Sequence, residues 1–412
     1  MTAFPPDNAV SMNTREAQDS RCRSIRVLQV TSVYYPELRY GGPPLKIHLL
    51  SRGLREAGFS VSVLTFHSEK PWFSGRAVFD GISVQYMPWV GRGFQQWPLR
   101  RDLLSAAIDH ADIVHCYGLY NLLCPLAAQH ARNLKKPYLL EPLGMYRPRV
   151  RSILTKKLYN RFFTSWMARH ASVIVASSPA EQIDLRPLEA NGTMLAVRRN
   201  GIDMVSFRNL PRPESFRFSH GLRPNDRIIL YLGRISPIKN LEQLIRAFHI
   251  AGCRDSVLLL AGPSLEPGYE AKIRALIKSL DLQESVRLIG PLYDQDKLAA
   301  LAAADLFVLP SLSESFGNAA AEAVAAGVPV LLTDTCGIAA IIHRRAGLAL
   351  PLGEASIARG LQIMMSPERA QYLHGQQQVL HELAWDEPVQ QTAGLYECIL
   401  RERSNALTGI RV

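Results

Sequence analysis

SLSESFGNAAAEAVAAGVPV, residues 311–330, follows a short apolar run at Leu306–Leu309 and gives the clearest indication of the fold. The apolar run predicts a buried strand, and the alanine-rich segment from Ala319 to Ala326 predicts a helix. Between them lies a loop that contains Gly317. A strand, a loop and a helix in this order form a βα unit, and ligands of open parallel sheets bind at the carboxyl ends of the strands. Residues 311–318 are therefore a candidate binding loop.

Further βα units lie on both sides of this loop. In the second half, apolar runs predict strands at Ile228–Leu232, Val257–Leu260, Val286–Leu288, Leu306–Leu309 and Val330–Leu332. In the first half, they predict strands at Ser24–Ser32, Phe59–Thr65, Ile113–His115, Tyr138–Leu140 and Ser172–Ala176. Helical patterns separate most of these runs, and a stretch rich in proline and asparagine at 211–226 predicts a linker between the halves. The sequence therefore predicts the α/β class, with two Rossmann-like, doubly wound domains.

Length and composition narrow the class of protein. The chain has 412 residues, of which 47% are hydrophobic and 20% charged, which suits two packed cores. It has no run of about 18 apolar residues, so no membrane-spanning helix is predicted. The six cysteines include no C-x-x-C pair, which favours reduced thiols and a cytoplasmic location. The net charge of +11 favours an anionic partner, but the basic residues are dispersed without stacking aromatics, so nucleic acid is not expected.

A basic, amphipathic segment at Arg147–Arg169 has two interpretations. Apolar residues recur in it at helical spacing, from Val150 to Trp166, with several lysines and arginines among them. It is either a core helix with a solvated basic face or a surface that contacts an anionic membrane.

The candidate binding loop offers donors and acceptors of hydrogen bonds. The helix after it begins with four backbone N–H groups, those of Phe316, Gly317, Asn318 and Ala319. The positive end of a helix favours a diphosphate at this position. Glu314 and Glu322 lie on either side, and carboxylates beside a phosphate accept hydrogen bonds from neutral hydroxyls. The loop therefore suits a phosphorylated ligand with sugar and ribose hydroxyls.

A second motif, YLGRISPIKN at residues 231–240, follows another predicted strand. The strand ends at Gly233, Arg234 comes next, and Lys239 follows five residues later. Two cations at the carboxyl end of a strand can neutralise a departing diphosphate, arginine by a planar fork and lysine as a point charge.

Together the two motifs resemble the retaining glycosyltransferases of family 4, which have the GT-B fold. The matched residues of the first motif are Gly233, Arg234, Lys239 and Asn240, and those of the second are Glu314, Phe316, Gly317, Glu322, Ala323, Ala325, Gly327, Pro329 and Val330. The resemblance covers about residues 25–400 and includes Asn-Gly-Ile-Asp at 200–203 and Trp385. It implies two Rossmann-like domains that face each other across a cleft.

The resemblance also implies roles and domain bounds. Arg234 and Lys239 are expected to hold the donor diphosphate, Glu322 the ribose hydroxyls and Glu314 the donor sugar. The turn at Gly41 and Gly42 is expected to approach the donor from the opposite wall. The expected bounds are a disordered tail at 1–24, an acceptor domain at 25–208, a nucleotide-sugar domain at 209–385 and a helix at 386–412 that crosses back to the first domain. No metal and no cofactor are expected, and no D-x-D motif stands directly at the end of a predicted strand.

Three departures from the family pattern concern the walls of the cleft. The family often has a histidine near the donor sugar, two residues beyond the one in D-x-x-H. Here His115 stands at the first of these positions and Tyr117 at the second, and either residue is a candidate for that contact. Leu143 stands where the family often has a basic residue in P-x-G-M, so Arg147 or Arg149 is expected to supply the charge. Ala339 and Ala340 stand where Pro-Glu is usual, which predicts a different loop around the base or sugar.

The expected reaction is transfer of a sugar from a UDP- or GDP-type donor to a glycan or lipid-linked acceptor, in envelope or exopolysaccharide synthesis. The expected location is the cytoplasm, with peripheral contact at the inner face of the membrane. Two alternatives keep the fold: a sugar-nucleotide epimerase or phosphorylase, and a non-catalytic protein that binds a sugar nucleotide. A complete leaving-group site favours transfer.

Overall fold

A computed structural model describes residues 24–38, 42–91, 96–147, 153–191, 193–253, 255–264 and 266–408. The predictions made for the tail at 1–23, for Gly41 and for Arg149 lie outside these residues.

The first domain contains a mainly parallel sheet with helices on both faces. The strands of the domain are β1 Arg26–Thr31, β2 Ser60–Phe66, β3 Gly75–Phe79, β4 Ile82–Met87, β5 Trp89–Val90, β6 Trp97–Pro98, β7 Ile113–Tyr117, β8 Tyr138–Glu141, β9 Val173–Ala176 and β10 Met194–Val197. Of these, β5 and β6 pair with each other, separately from the main sheet. Its helices are α1 Pro43–Glu56, α2 Arg101–His110, α3 Leu123–Asn133, α4 Ile153–Tyr159, α5 Ser165–His170 and α6 Pro179–Leu185. The sheet order is β10-β9-β8-β7-β1-β2-β4-β3, and β3 alone pairs antiparallel within it in the described chain.

The second domain repeats this architecture with a smaller sheet. Its strands are β11 Arg227–Leu232, β12 Ser256–Ala261, β13 Val286–Gly290, β14 Leu306–Leu309, β15 Val330–Thr333 and β16 Gly347–Leu350. Its helices are α7 Pro213–Ser219, α8 Leu241–Ala251, α9 Pro267–Ser279, α10 Asp294–Ala303, α11 Asn318–Ala325, α12 Ala339–Ile342, α13 Glu354–Met364 and α14 Gln376–Glu382, and the chain continues into α15 Asp386–Thr408. The sheet order is β13-β12-β11-β14-β15-β16, all parallel. Every residue of β12 is buried, as expected for a parallel sheet with helices on both faces.

The chain passes between the domains twice, at adjacent positions. The backbone N–H of Ile202 donates to the carbonyl of Leu383 over 2.8 Å, and a Cβ atom at Gly201 would lie 2.7 Å from Cα of Trp385. Beyond this crossing, α15 packs on the first domain, where Tyr396 and Ile399 are buried in its core. The last helix therefore contributes to the first domain rather than the second.

One expectation about local structure is wrong, and another holds only in part. The predicted linker at 211–226 contains α7, because Phe216 is buried in the core of the second domain. The interpretation of Arg147–Arg169 as a core helix holds for α5, where Met167 and Ala168 are buried in the core of the first domain. It fails for α4 and the π-helical turn at Asn160–Thr164, which expose much of their apolar surface. Leu154 is 82% and Phe162 is 61% exposed. None of the helices in the described ranges is long and apolar enough to cross a membrane.

Candidate active site

The two sequence motifs meet because their strands, β11 and β14, are neighbours in the second sheet. The loop after β11 contacts the loop after β14 directly: the N–H of Leu312 donates to the carbonyl of Ile238 over 2.9 Å. The side chain of Asn240 adds a hydrogen bond of 3.1 Å to the carbonyl of Pro310. Both motifs thus form one surface at the carboxyl ends of central strands, where parallel sheets bind ligands.

Arg234 and Lys239 stand on this surface in different states. The guanidinium of Arg234 is exposed and forms no ion pair or hydrogen bond with any residue that the structure describes. The ammonium of Lys239 pairs with the carboxylate of Glu314, and these side chains are 13% and 20% exposed. The backbone of Arg234 is fixed by the hydroxyl of Tyr231, which donates to its carbonyl over 2.8 Å. One cation is therefore open to an anion, and the other already holds a carboxylate.

The helix α11 begins beside these cations. Gly317 precedes it with a φ of 113°, a left-handed conformation that favours glycine, and Phe316 is buried beneath the loop. The backbone N–H groups of residues 316–319 donate to no carbonyl oxygen in the described chain, as expected at the start of a helix. Four free donors at a positive helix end are suited to bind phosphate oxygens.

Glu322, four residues into α11, has a partner that the sequence did not indicate. Lys297 on α10 donates to Oε1 of Glu322 over 2.9 Å, and Oε2 has no partner among the described residues. The free oxygen can accept a hydrogen bond from a hydroxyl of a ligand. The pair joins α10 to α11, and the sequence does not indicate this contact because the two residues lie far apart along the chain.

The first domain touches this surface through three loops. A Cβ atom at Gly42 would overlap the side-chain amide of Asn318, and one at Gly144 would overlap Ser315. In the loop after β15 of the second domain, a Cβ atom at Gly337 would lie 2.8 Å from Cβ of Ser178, which follows β9 in the first domain. The first domain therefore contacts the second at the start of α11, in the loop before α11 and in the loop that follows β15. Of the predicted glycine turn, Gly42 lies at this contact.

The residues at two of the three departures from the family pattern lie in or beside the loops around the cleft. Leu143 has a positive φ of 58° in the loop that brings Gly144 to the second domain. Arg147 was a candidate to supply the missing charge there, but its Nε pairs with Asp184 at 3.0 Å. Ala339 and Ala340 begin α12, directly beyond the loop that follows β15.

His115 and Tyr117 lie inside the first domain rather than on its cleft surface. Both are 1% exposed or less, and their rings stack with centroids 4.0 Å apart. Nδ1 of His115 lies 2.8 Å from the hydroxyl of Tyr396 on α15. Burial lowers the pKa of His115 and favours its neutral ring. The prediction that one of the two contacts the donor sugar is therefore wrong for this structure, because neither side chain has surface to offer.

Glu141, at the end of β8, is the centre of a buried ion network. Arg198 donates to its two carboxylate oxygens over 2.7 and 2.6 Å, and the ammonium of Lys46 contacts the same carboxylate. Burial alone would raise the pKa of Glu141, but Arg198 and Lys46 outweigh it and hold that pKa well below its ordinary value. Burial lowers the pKa of Lys46 to about 8. No local sequence pattern indicates that these residues meet, because they lie far apart along the chain.

No cluster of three or more histidine, cysteine, aspartate or glutamate side chains suited to a metal ion occurs among the described residues. The five cysteines that the structure describes, at 116, 124, 253, 336 and 398, are free thiols. Metal independence remains a prediction.

Comparison with known proteins identifies the family. A glycosyl transferase 4-like domain matches residues 41–201, and the domain of the glycosyl transferases group 1 matches residues 213–373. The chain belongs to the group 1 glycosyltransferases. The arrangement of its two domains is the GT-B fold, as predicted. It shares that fold with Alr3699/HepE of Anabaena in complex with UDP and glucose, with a TM-score of 0.72, 19% identity, and coverage of 91% of this chain and 100% of that one.

Two curated relatives act on different acceptors. The D-inositol 3-phosphate glycosyltransferase of Jonesia denitrificans is 26% identical and matches 87% of this chain and 91% of its own. The GDP-mannose:cellobiosyl-diphosphopolyprenol alpha-mannosyltransferase of Xanthomonas campestris is 25% identical and matches 75% of this chain and 79% of its own. Membership of the family therefore establishes a glycosyltransferase without naming its acceptor.

Proposed function

We propose that this glycosyltransferase moves a hexosyl group from a UDP- or GDP-type sugar to a glycan or lipid-linked acceptor, with retention of configuration and without a metal ion. The observation that carries the proposal is the convergence of Arg234, Lys239 and the free N–H groups of α11 on one surface. These groups can hold a diphosphate and stabilise the charge that develops on it as a leaving group. The UDP in the Anabaena structure and the GDP-mannose in the Xanthomonas relative's name support a donor of this type.

In the proposed reaction the bond between the sugar carbon and the phosphate oxygen breaks as the acceptor oxygen bonds to that carbon. The acceptor proton moves to the departing phosphate oxygen, so no protein nucleophile is required. Arrival of the diphosphate replaces Glu314 as the partner of Lys239. The released carboxylate of Glu314 then accepts hydrogen bonds from the donor sugar, while Oε2 of Glu322 accepts one from the ribose.

Donor binding and turnover in EDTA test the proposal. We expect one of the UDP-, GDP-, ADP- or CDP-sugars to raise the melting temperature by several degrees and to be slowly hydrolysed, because a ligand of the native state stabilises it. Thermal shift and release of the nucleoside diphosphate are the measurements. A protein that binds a sugar nucleotide but releases none of its sugar, even with acceptor glycans added, is a binding protein and contradicts the proposal.

The proposed site of action is the inner face of a membrane, and the support lies in α4 and the π-helical turn after it. Five side chains there, the apolar face, are between 39% and 82% exposed: Ile153, Leu154, Leu158, Phe162 and Phe163. Lys157 and Arg161 are exposed in the same stretch. An apolar face bordered by cations is typical of helices that lie in the interface of an anionic bilayer. A lipid-linked acceptor would be presented there, and the name of the Xanthomonas relative gives a diphosphopolyprenol acceptor for that enzyme.

Vesicle binding tests the membrane contact. We expect the full chain to bind phosphatidylglycerol vesicles at low salt, with binding that weakens as salt screens the cations. Exchange of Leu154 and Phe162 for glutamate is expected to abolish binding, measured by co-sedimentation, and to leave donor hydrolysis unchanged. Phe218→Glu is the matched control, because Phe218 is 89% exposed on the second domain. Equal sedimentation of the wild type and the double variant would contradict the proposal.

A further inference from the structure

Asn318 touches both domains. It is the first residue of α11, and its side-chain Oδ1 accepts a hydrogen bond of 3.0 Å from Nδ2 of Asn200 in the first domain. The other end of the same amide, Nδ2, lies so close to Gly42 that a Cβ atom there would overlap it. Asn200 is 5% exposed and Asn318 is half-buried, so the first-domain side of this contact is enclosed. We call the contact between Asn318, Asn200 and Gly42 the closure contact.

The backbone of Asn318 belongs to the proposed diphosphate site. Its N–H is one of the free donors at the start of α11, on the surface that also carries Arg234 and Lys239. One residue therefore offers its backbone to the leaving group and its side chain to the opposite domain. A displacement of the first domain acts on the position of that N–H through a single short side chain with few rotamers.

We infer that the closure contact positions the start of α11 for turnover, with Asn200 as a positioning residue of the reaction. The inference rests on the proposed function, because it concerns the geometry of the same diphosphate site. Stabilisation of a leaving group depends on donors held at the correct distance, and a misplacement of about 1 Å can cost up to about a hundredfold in rate. The first domain thus takes part in leaving-group stabilisation as well as in acceptor binding.

Gly42 allows this contact to be tested without strain in the backbone. Its φ of −68° and ψ of −28° are helical, so alanine is accepted at this position. The atom that an alanine Cβ would displace is the far end of the Asn318 side chain. Gly42→Ala therefore disturbs the closure contact and not the folding of α1.

The experiment is a double-mutant cycle of Gly42→Ala and Asn318→Ala in the full chain, with turnover of the donor sugar as readout. We expect Gly42→Ala to lower kcat by about tenfold to a hundredfold, with donor KM near that of the wild type. In the Asn318→Ala background the same change is expected to cost nothing more, because the colliding amide is gone. Asn200→Ala is expected to lower kcat by the same factor as Asn318→Ala, because each variant removes one partner of the hydrogen bond between the two side chains. Gly268→Ala, at the start of α9 with no atom within 4 Å of its Cβ, is the matched control and is expected to be silent.

Two results overturn the inference. Equal losses from Gly42→Ala in the wild-type and Asn318→Ala backgrounds would show that its methyl group blocks a substrate directly. Wild-type kcat in Asn200→Ala would remove Asn200 from the reaction. Failure of the proposed function looks different, since then the wild type itself turns over no sugar nucleotide.

Discussion

Lys239→Ala and Arg234→Ala are each expected to lower kcat by about 10² to 10³, the usual cost of losing one group that stabilises a developing charge. Charge accumulates on the diphosphate only as the sugar bond breaks, so the loss falls on kcat more than on donor KM. Lys239 is expected to be the more sensitive of the two. Its removal also leaves Glu314 without its partner, beside the phosphates that it would repel.

Initial rates over a range of donor concentrations measure this effect. Arg234→Lys is expected to recover part of the rate, because it keeps the charge and loses the planar fork. Lys278→Ala, an exposed cation on α9 outside the cleft, is the control for a change of net charge. Unchanged kcat in both alanine variants would remove these residues from the leaving-group site and leave the non-catalytic alternative as the better account.

The second domain could be predicted from sequence because its signals are local. The strand Leu306–Leu309 was predicted with its observed bounds, and β11 and β15 were each predicted within one residue of theirs. Fully buried parallel strands appear as continuous apolar runs, and glycines mark the loops after them. Both motifs follow such strands, and this is why their residues meet at one surface.

What the sequence left open depends on contacts between distant residues. Glu141 meets Lys46 and Arg198 only because the sheet places the ends of β8 and β10 beside α1. Lys297 reaches Glu322 across two helices for a similar reason. The apolar face around Leu154 was ambiguous because periodicity reports one apolar side of a helix and not what covers that side. Such facts depend on tertiary packing, to which a local pattern is blind.

Glu141→Gln is expected to destabilise the protein by about 3 to 5 kcal/mol, the usual cost of removing one partner of a buried ion pair. The amide leaves Arg198 and Lys46, which are 1% and 4% exposed, without a compensating charge. Urea unfolding of the full chain at neutral pH is the measurement. Lys46→Met in the Glu141→Gln background is expected to restore part of the stability, because it removes one of the two stranded charges. A Glu141→Gln protein as stable as the wild type would contradict the assignment.

The pH dependence of the same pair separates a charge effect from a packing effect. In the wild type the folded pKa of Glu141 is held well below its ordinary value, so its contribution is present above the unfolded pKa and lost as the pH falls through the folded one. Burial lowers the folded pKa of Lys46 to about 8, below its unfolded value, so the folded protein disfavours the charged form of this lysine. Between those two pKa values the unfolded state binds more protons, so stability rises with pH. Without Glu141 the pKa of Lys46 falls further, and this rise starts at lower pH. The difference in unfolding free energy between the wild type and Glu141→Gln is therefore expected to narrow as the pH rises towards 8. A difference caused by a loss of packing alone would not change with pH.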